Sequence, residues 1–224
     1  MLLIFSLTHK RYDILLLDFD GTLVSTLDSF VYSASKALSL TGFNVSLESL
    51  YTSLTKPFDR VVESLVGPLE ARVKQELVDK YIEIYNTEGY KYTKPNRGAF
   101  EVLDRLTNNG VKLGIVTSRT LLCDSIQRTL EHLSLAKYVE TLVTARDVAR
   151  PKPHPDQHLL ALRRLGGTAS HALSVGDSPE DIQGSRSAGI RVAAYTKGFY
   201  TYDQLAPYNP DYVIHELTEL LQLF

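Results

Sequence analysis

Short, almost wholly apolar runs alternate along this chain with stretches whose apolar residues recur at helical spacing. Asp13 to Leu17 is the first such run, and it stops at an Asp and a Gly, as a buried parallel strand does on entering a loop. Val111 to Val116, Val139 to Val143, Ala172 to Val175, Ile190 to Tyr195 and Tyr212 to Ile214 repeat the pattern. Between them lie amphipathic helices with stop signals. Phe100, Leu103 and Leu106 run up to Asn108, Asn109 and Gly110, and His158, Leu159, Leu162 and Leu165 run up to Gly166 and Gly167. Strand alternating with helix predicts an α/β fold built on a parallel sheet.

The stretch from about Ser29 to Tyr92 breaks this rhythm, with no convincing strand and several amphipathic patterns. Val73, Leu77, Tyr81, Ile84 and Tyr85 mark one apolar face, while Lys74, Glu76, Lys80 and Glu83 fall largely off it. The pattern predicts a helical cap over residues 26–92, inserted into an α/β core of residues 1–25 and 93–224. Such an insertion sits over the carboxyl ends of the strands, where open α/β sheets place their ligands, and is positioned to be a lid. Tyr81 and Tyr85 read as core packing rather than a cofactor box. Met1 to Leu7 is apolar but too short to span a bilayer, with no basic region before it and no small-residue cleavage site. It reads as an untidy start or an extra edge strand.

Composition narrows the picture mainly by exclusion. The 224 residues suffice for one domain with a substantial insertion. With 24 Lys plus Arg against 26 Asp plus Glu, the net charge of −2 offers no diffuse attraction to nucleic acid or an anionic membrane. Neither is expected as a partner. The single cysteine, Cys123, cannot form an intramolecular disulfide, which fits a reducing compartment and predicts the cytoplasm.

Four constellations carry chemistry. The first is Asp18, Phe19, Asp20, Gly21, Thr22 and Leu23 at the end of the first strand. A phosphate ester repels nucleophiles, so a carboxylate attacking phosphorus needs a cation and positive donors around it. Asp18 is the candidate nucleophile, and Asp20, two residues on, the candidate acid and base that protonates the leaving oxygen and later takes a proton from water. The second, Gly114 to Arg119, ends a strand in the hydroxyls of Thr117 and Ser118. Thr117 can donate to a phosphoryl oxygen or cap the next helix. The third frames Lys152 with Pro151, Pro153 and Pro155, a stiff segment that presents an ammonium with little freedom. The nearby His154 and His158 do not read as a metal pair, because the prolines oppose a shared helix and no carboxylate completes the site. The fourth, Gly176 to Asp181, places Asp177 and Asp181 where both can face a cation or cap a helix.

Their order along the chain resembles the haloacid dehalogenase superfamily, within it the phosphoglycolate-phosphatase-like branch with a helical cap. The matching motifs are DFDGTL at residues 18–23, IVTS at 115–118, KPHPD at 152–156 and GDSPED at 176–181. The resemblance implies a Rossmann-like core and a Mg²⁺-dependent phosphatase that hydrolyses a small phosphorylated metabolite through an aspartyl-phosphate. It implies Asp18, Asp20 (through its backbone carbonyl), Asp177 and Asp181 around the metal, with Asp181 acting through water or outer contacts. It also implies Thr117 and Lys152 on the phosphoryl group; Ser118 and Arg119, at the same strand end, are further candidates for substrate binding by their position. Asp20 itself separates branches, because dehalogenating members lack an Asp there.

Within the enzymes, a phosphomutase of the β-phosphoglucomutase kind, a pyrophosphatase and a nucleotidase are the rivals. A non-catalytic binding protein is disfavoured, since none of Asp18, Asp20, Lys152 or Asp177 is substituted. In the cap, Lys36, Lys56, Arg60 and Arg72 are candidates for a second anionic group, although such side chains are commonly solvated. Arg119 reads either as a core-side substrate contact or as a surface helix residue.

Overall fold

The computed structural model describes residues 12–224. The stretch Met1 to Leu7 therefore lies outside the described residues. In chain order the elements are β1 (Ile14–Leu17), β2 (Val24–Ser25), four helices α1 (Leu27–Leu40), α2 (Leu47–Ser53), α3 (Phe58–Val66) and α4 (Ala71–Thr87), then β3 (Lys94–Pro95). There follow α5 (Ala99–Asn108), β4 (Lys112–Val116), α6 (Asp124–His132), β5 (Thr141–Val143), α7 (Asp156–Leu165) and β6 (Ala172–Gly176). The chain closes with α8 (Pro179–Ser187), β7 (Arg191–Tyr195), α9 (Tyr202–Leu205) and β8 (Tyr212–Ile214).

Six strands form one parallel sheet in the order β5-β4-β1-β6-β7-β8. The succession of strands runs outward in one direction through β4 and β5 and in the other through β6, β7 and β8, so β1 lies at the switch point. A crevice opens there at the carboxyl ends of the strands. Both faces are apolar, which explains the near-continuous hydrophobic runs. Alternation sorts the residues of β1: Leu15 and Leu17 pack with Leu103, Leu113, Ile115 and Ile126 on one side, Ile14 and Leu16 with Val116, Leu162 and Leu165 on the other.

The helix faces differ in detail from the sequence expectation. Phe100 is 44% exposed, and α5 instead buries Ala99, Val102, Leu103 and Leu106. A strict three-residue step lags the 3.6-residue turn, so Phe100 rotates off the face that Leu103 and Leu106 share. Leu159 turns outward for the same reason, while Gln157, His158, Ala161, Leu162 and Leu165 face inward.

The helices α1 to α4 gather round a hydrophobic cluster of their own, centred on Val31, Leu38, Leu50, Phe58, Leu77, Tyr81 and Tyr85. Leu77, Tyr81, Ile84 and Tyr85 are buried, and Val73 is half-buried. Leu122, from the segment after β4, inserts into this cluster and ties it to the sheet. The chain enters and leaves the helical module through β2 and β3, two residues each, which pair antiparallel with Val24 opposite Pro95 and Ser25 opposite Lys94.

Candidate active site

Asp18 follows the last residue of β1, and its backbone N–H donates to Val175 O at 2.9 Å, continuing the ladder one residue past the strand. The chain then turns sharply: Gly21 N–H donates to Val24 O at 2.8 Å with Gly21 at φ 85°. A Cβ at Gly21 would stand 2.4 Å from Asp177 Oδ2, so this glycine is required by close approach as well as by its backbone. Thr22 Oγ1 donates to Asp177 Oδ1 at 2.7 Å. Asn96 Nδ2 donates to the carbonyls of Gly21 (2.9 Å) and Thr22 (2.8 Å), anchoring the turn from the far side of the helical module.

Lys152 is only 7% exposed. Its ammonium donates to Asp18 Oδ1 (2.8 Å), Asp181 Oδ1 (2.5 Å) and Val116 O (2.8 Å), which commits all three protons. Gln157 holds the segment in place: its Oε1 accepts from Lys152 N–H at 2.8 Å, and its Nε2 donates to Thr117 O at 2.8 Å. Asp181 does two jobs at once. Its Oδ2 accepts from Ser178 N–H (3.1 Å) and Oγ (2.6 Å) in a capping box at the start of α8, while Oδ1 takes Lys152. Asp177 Oδ2 accepts from Phe199 N–H at 2.6 Å, beyond the end of β7.

Asp18, Asp177 and Asp181 each offer an oxygen within 4.8 Å of the others. Two of these three buried carboxyl groups, Asp18 and Asp181, share one ammonium. Burial pushes the Asp18 carboxyl well up, Asp181 adds to the rise, and Lys152 opposes it. Burial and then Asp181 push Asp177 up to about 7, against the donors Phe199 N–H and Thr22 and the charge of Lys152. Lys152 is held charged, above its usual range, because Asp18 and Asp181 more than offset the cost of its burial. Excess negative charge in a small, oxygen-only cluster is the environment that a hard divalent cation neutralises, and the donor set fits Mg²⁺.

Asp20 faces the other way. Arg119, 8% exposed, grips it with a two-pronged ion pair, Nε to Oδ2 and Nη2 to Oδ1, both at 2.7 Å. Nη2 also donates to Tyr85 Oη at 2.9 Å, and Nη1 to Ser125 Oγ at 3.1 Å and Leu122 O at 3.5 Å. The guanidinium lies among the rings of Phe19, Tyr85 and Phe30, 4.9, 5.2 and 5.5 Å from their centroids. Burial alone would lower its pKa. The Asp20 carboxylate more than reverses that and keeps Arg119 charged.

A family model described as haloacid dehalogenase-like hydrolase matches residues 15–195. The chain belongs to that family. This haloacid dehalogenase-like hydrolase is 33% identical over 213 residues to a protein of Caldanaerobacter subterraneus subsp. tengcongensis provisionally named pyrophosphatase PpaX, covering 93% of this chain and 92% of the relative. A crystal structure from Haemophilus somnus 129pt, described as a predicted phosphoglycolate phosphatase, superposes with a TM-score of 0.80 at 20% identity, over 96% of this chain and 99% of that one. A subfamily IA, variant 1 hydrolase of the same superfamily, from Geobacter sulfurreducens, superposes with a TM-score of 0.78 at 25% identity, over 96% and 97%. The family model makes the chain a haloacid dehalogenase-like hydrolase, and these neighbours share its fold.

In this hydrolase Asp18, Lys152, Asp177 and Asp181 converge at the ends of β1, β6 and the segment before α7. Thr117 is buried beside them at the end of β4, its Oγ1 accepting from Arg119 N–H at 3.3 Å. Ser118 is exposed. Arg119 is no surface helix residue. His154 is exposed, whereas His158 is buried on Ser185 Oγ at 3.0 Å, its pKa pulled down to about 3 by burial and by Lys152, so the two histidines form no site. Lys36 is paired with Glu88 at 2.6 Å, and Lys56, Arg60 and Arg72 are exposed.

Sequence reasoning missed Thr22, Gln157, Phe199 and Tyr85. Phe199 serves through its N–H, which carries no residue-type signal. Gln157 and Thr22 had one: an uncharged polar side chain inside a motif whose neighbours are already committed.

Proposed function

We propose that this hydrolase is a Mg²⁺-dependent phosphatase that cleaves a small phosphate monoester through an aspartyl-phosphate on Asp18. The observation that carries the reading is the cluster of Asp18, Asp177 and Asp181 round the Lys152 ammonium, at the switch point of the sheet. Asp18, Asp177 and Asp181 would hold Mg²⁺, with Asp181 acting in part through Lys152 and Ser178, and the Asp20 carbonyl completing the protein ligands. Once bound, the cation would supply charge that neutralises the phosphoryl oxygens.

The chain's own residues account for the rest. Lys152 engages Asp18 Oδ1, which leaves Oδ2 to attack phosphorus. As that O–P bond forms, the bond to the leaving oxygen breaks, and the leaving oxygen takes its electron pair and a proton from Asp20. Water then attacks phosphorus and passes its proton to Asp20, and Asp18 recovers the electron pair. Thr117 and Ser118 are assigned to the phosphoryl group, and Lys152, its three protons already engaged, supplies positive charge beside it. The helices α1 to α4 act as the cap that shelters these steps from bulk water.

Phosphoglycolate or a sugar phosphate suits a small closed site. Inorganic pyrophosphate is the second reading, favoured by the name of the Caldanaerobacter relative. The near-neutral net charge supports a small phosphorylated metabolite rather than nucleic acid as partner. Among the described residues no helix is long and apolar enough to cross a membrane. The lone, buried Cys123 supports a cytoplasmic setting.

The test is phosphate release from phosphoglycolate, sugar phosphates, nucleotides and pyrophosphate with Mg²⁺, beside an Asp18→Asn control. Release from one preferred substrate, abolished by the substitution and by EDTA, is expected. A folded protein inert to the whole panel would move the assignment to a phosphomutase or a non-catalytic protein.

A further inference from the structure

The five N–H groups of Arg119 are all engaged: two by Asp20, one by Tyr85 Oη, one by Ser125 Oγ and one by Leu122 O. A guanidinium so saturated has no donor left for a substrate anion. Its partners also come from different parts of the fold. Asp20 belongs to the loop after β1, and Ser125 and Leu122 to the segment that enters α6. Tyr85 and Phe30 belong to the cap helices α4 and α1.

We propose that Arg119 is a positioning residue that aims the Asp20 carboxyl and, through the Tyr85 hydroxyl, makes that aim depend on the docking of α4. The assignment rests on the phosphatase reading above and deepens it. A carboxyl group on a short side chain in a turn has rotamers to choose among. A planar fork holding both oxygens selects one, and each oxygen keeps a lone pair for the proton it exchanges. The same fork favours Asp20 after it has given its proton away, so it assists the transfer to the leaving oxygen. When the cap lifts, Arg119 loses Tyr85 and the Phe30 ring while keeping Phe19, and Asp20 loses its fixed direction. Proton delivery is thereby tied to a covered site.

The discriminating readout is leaving-group dependence, because damage to folding or to phosphate binding lowers all substrates alike. Tyr85→Phe removes one hydroxyl from a buried ring, and Arg119→Lys keeps the charge but loses the fork. Each would be assayed with Mg²⁺ on p-nitrophenyl phosphate, whose leaving group departs without a proton, and on an alkyl phosphate, whose leaving group needs one. For the alkyl ester kcat/KM, which reports only the steps up to departure of the leaving group, is expected to fall about 10-fold in Tyr85→Phe and roughly 100-fold in Arg119→Lys, within the range that general acid catalysis contributes. For p-nitrophenyl phosphate less than about a threefold loss in kcat/KM is expected. Equal losses on the two esters, or no loss on either, would overturn the assignment. Wild-type release that Asp18→Asn abolishes establishes the reaction itself. A wild type inert to both esters overturns the phosphatase reading, and this one falls with it.

Discussion

Lys152 and Asp18 stand 134 positions apart in the chain, yet the ammonium of one lies 2.8 Å from the carboxyl oxygen of the other. That ammonium also holds Asp181, so two buried acids depend on one base.

Lys152→Met therefore strands two carboxylates. Removing one member of a buried pair costs about 3–5 kcal/mol, which should appear as a lower urea midpoint at pH 8. At pH 5 the loss should be smaller, because Asp18 and Asp177 take up protons there more readily than ordinary acids. A penalty equal at both pH values would contradict this account of Lys152.

Asp18→Asn should abolish phosphate release while raising the melting temperature of the metal-free protein near pH 8. Burial and Asp181 push the Asp18 carboxyl up, so its ionised form is a burden on the fold that the amide removes. Scanning calorimetry of both proteins in EDTA checks this. A melting temperature below that of the wild type would show that the Lys152 bond outweighs burial.

Asp177 titrates near 7 in the folded protein against an ordinary value of 3.8. Its folded pKa is the higher one, so its contribution is fully present below about pH 3.8 and is lost as pH rises through 7. Metal-free wild type should thus lose stability relative to Asp177→Asn between pH 5 and pH 8, and Mg²⁺ should restore more at pH 8 than at pH 5. His158, depressed to about 3, works in the opposite sense as pH falls below its unfolded value, which is why the comparison is made against the variant. A stability difference between the two proteins that stays flat from pH 5 to pH 8 would refute the shift.

Gly198→Ala tests the ligand geometry without touching a ligand. An added Cβ would lie 2.1 Å from Asp177 Oδ2, so Asp177 must move. The concentration of Mg²⁺ giving half-maximal phosphate release should rise by roughly 10-fold or more, in line with loss of support for a metal ligand. An unchanged Mg²⁺ titration would exclude Asp177 from the metal set.

Much of this arrangement was legible because periodicity and strand-end motifs report directly on burial. All six sheet strands fall within two residues or so of the runs read from the sequence, and the fold class follows from their alternation with helices. The strands β2 and β3 escaped notice because two residues carry no period. The convergence of Asp18, Lys152 and Asp177 was foreseeable, since each lies at or beyond a strand end. The burial of Arg119 was not. Its environment is made by Tyr85 and Phe30, from helices whose placement over the sheet no local pattern encodes. Asp181 illustrates a further ambiguity: capping and site chemistry were alternatives in sequence, whereas its two oxygens serve both.

The paired dipeptides Val24–Ser25 and Lys94–Pro95 bring the two crossings of the chain into adjacent register, Ser25 facing Lys94. Everything between them begins and ends at one spot, so its length is invisible to the sheet. Evolution could exchange that passage for another of different size, or trim it to a turn, while β1 and the strands beside it kept their places. The sheet with its carboxylate cluster and the helical module are, in this sense, separately inheritable.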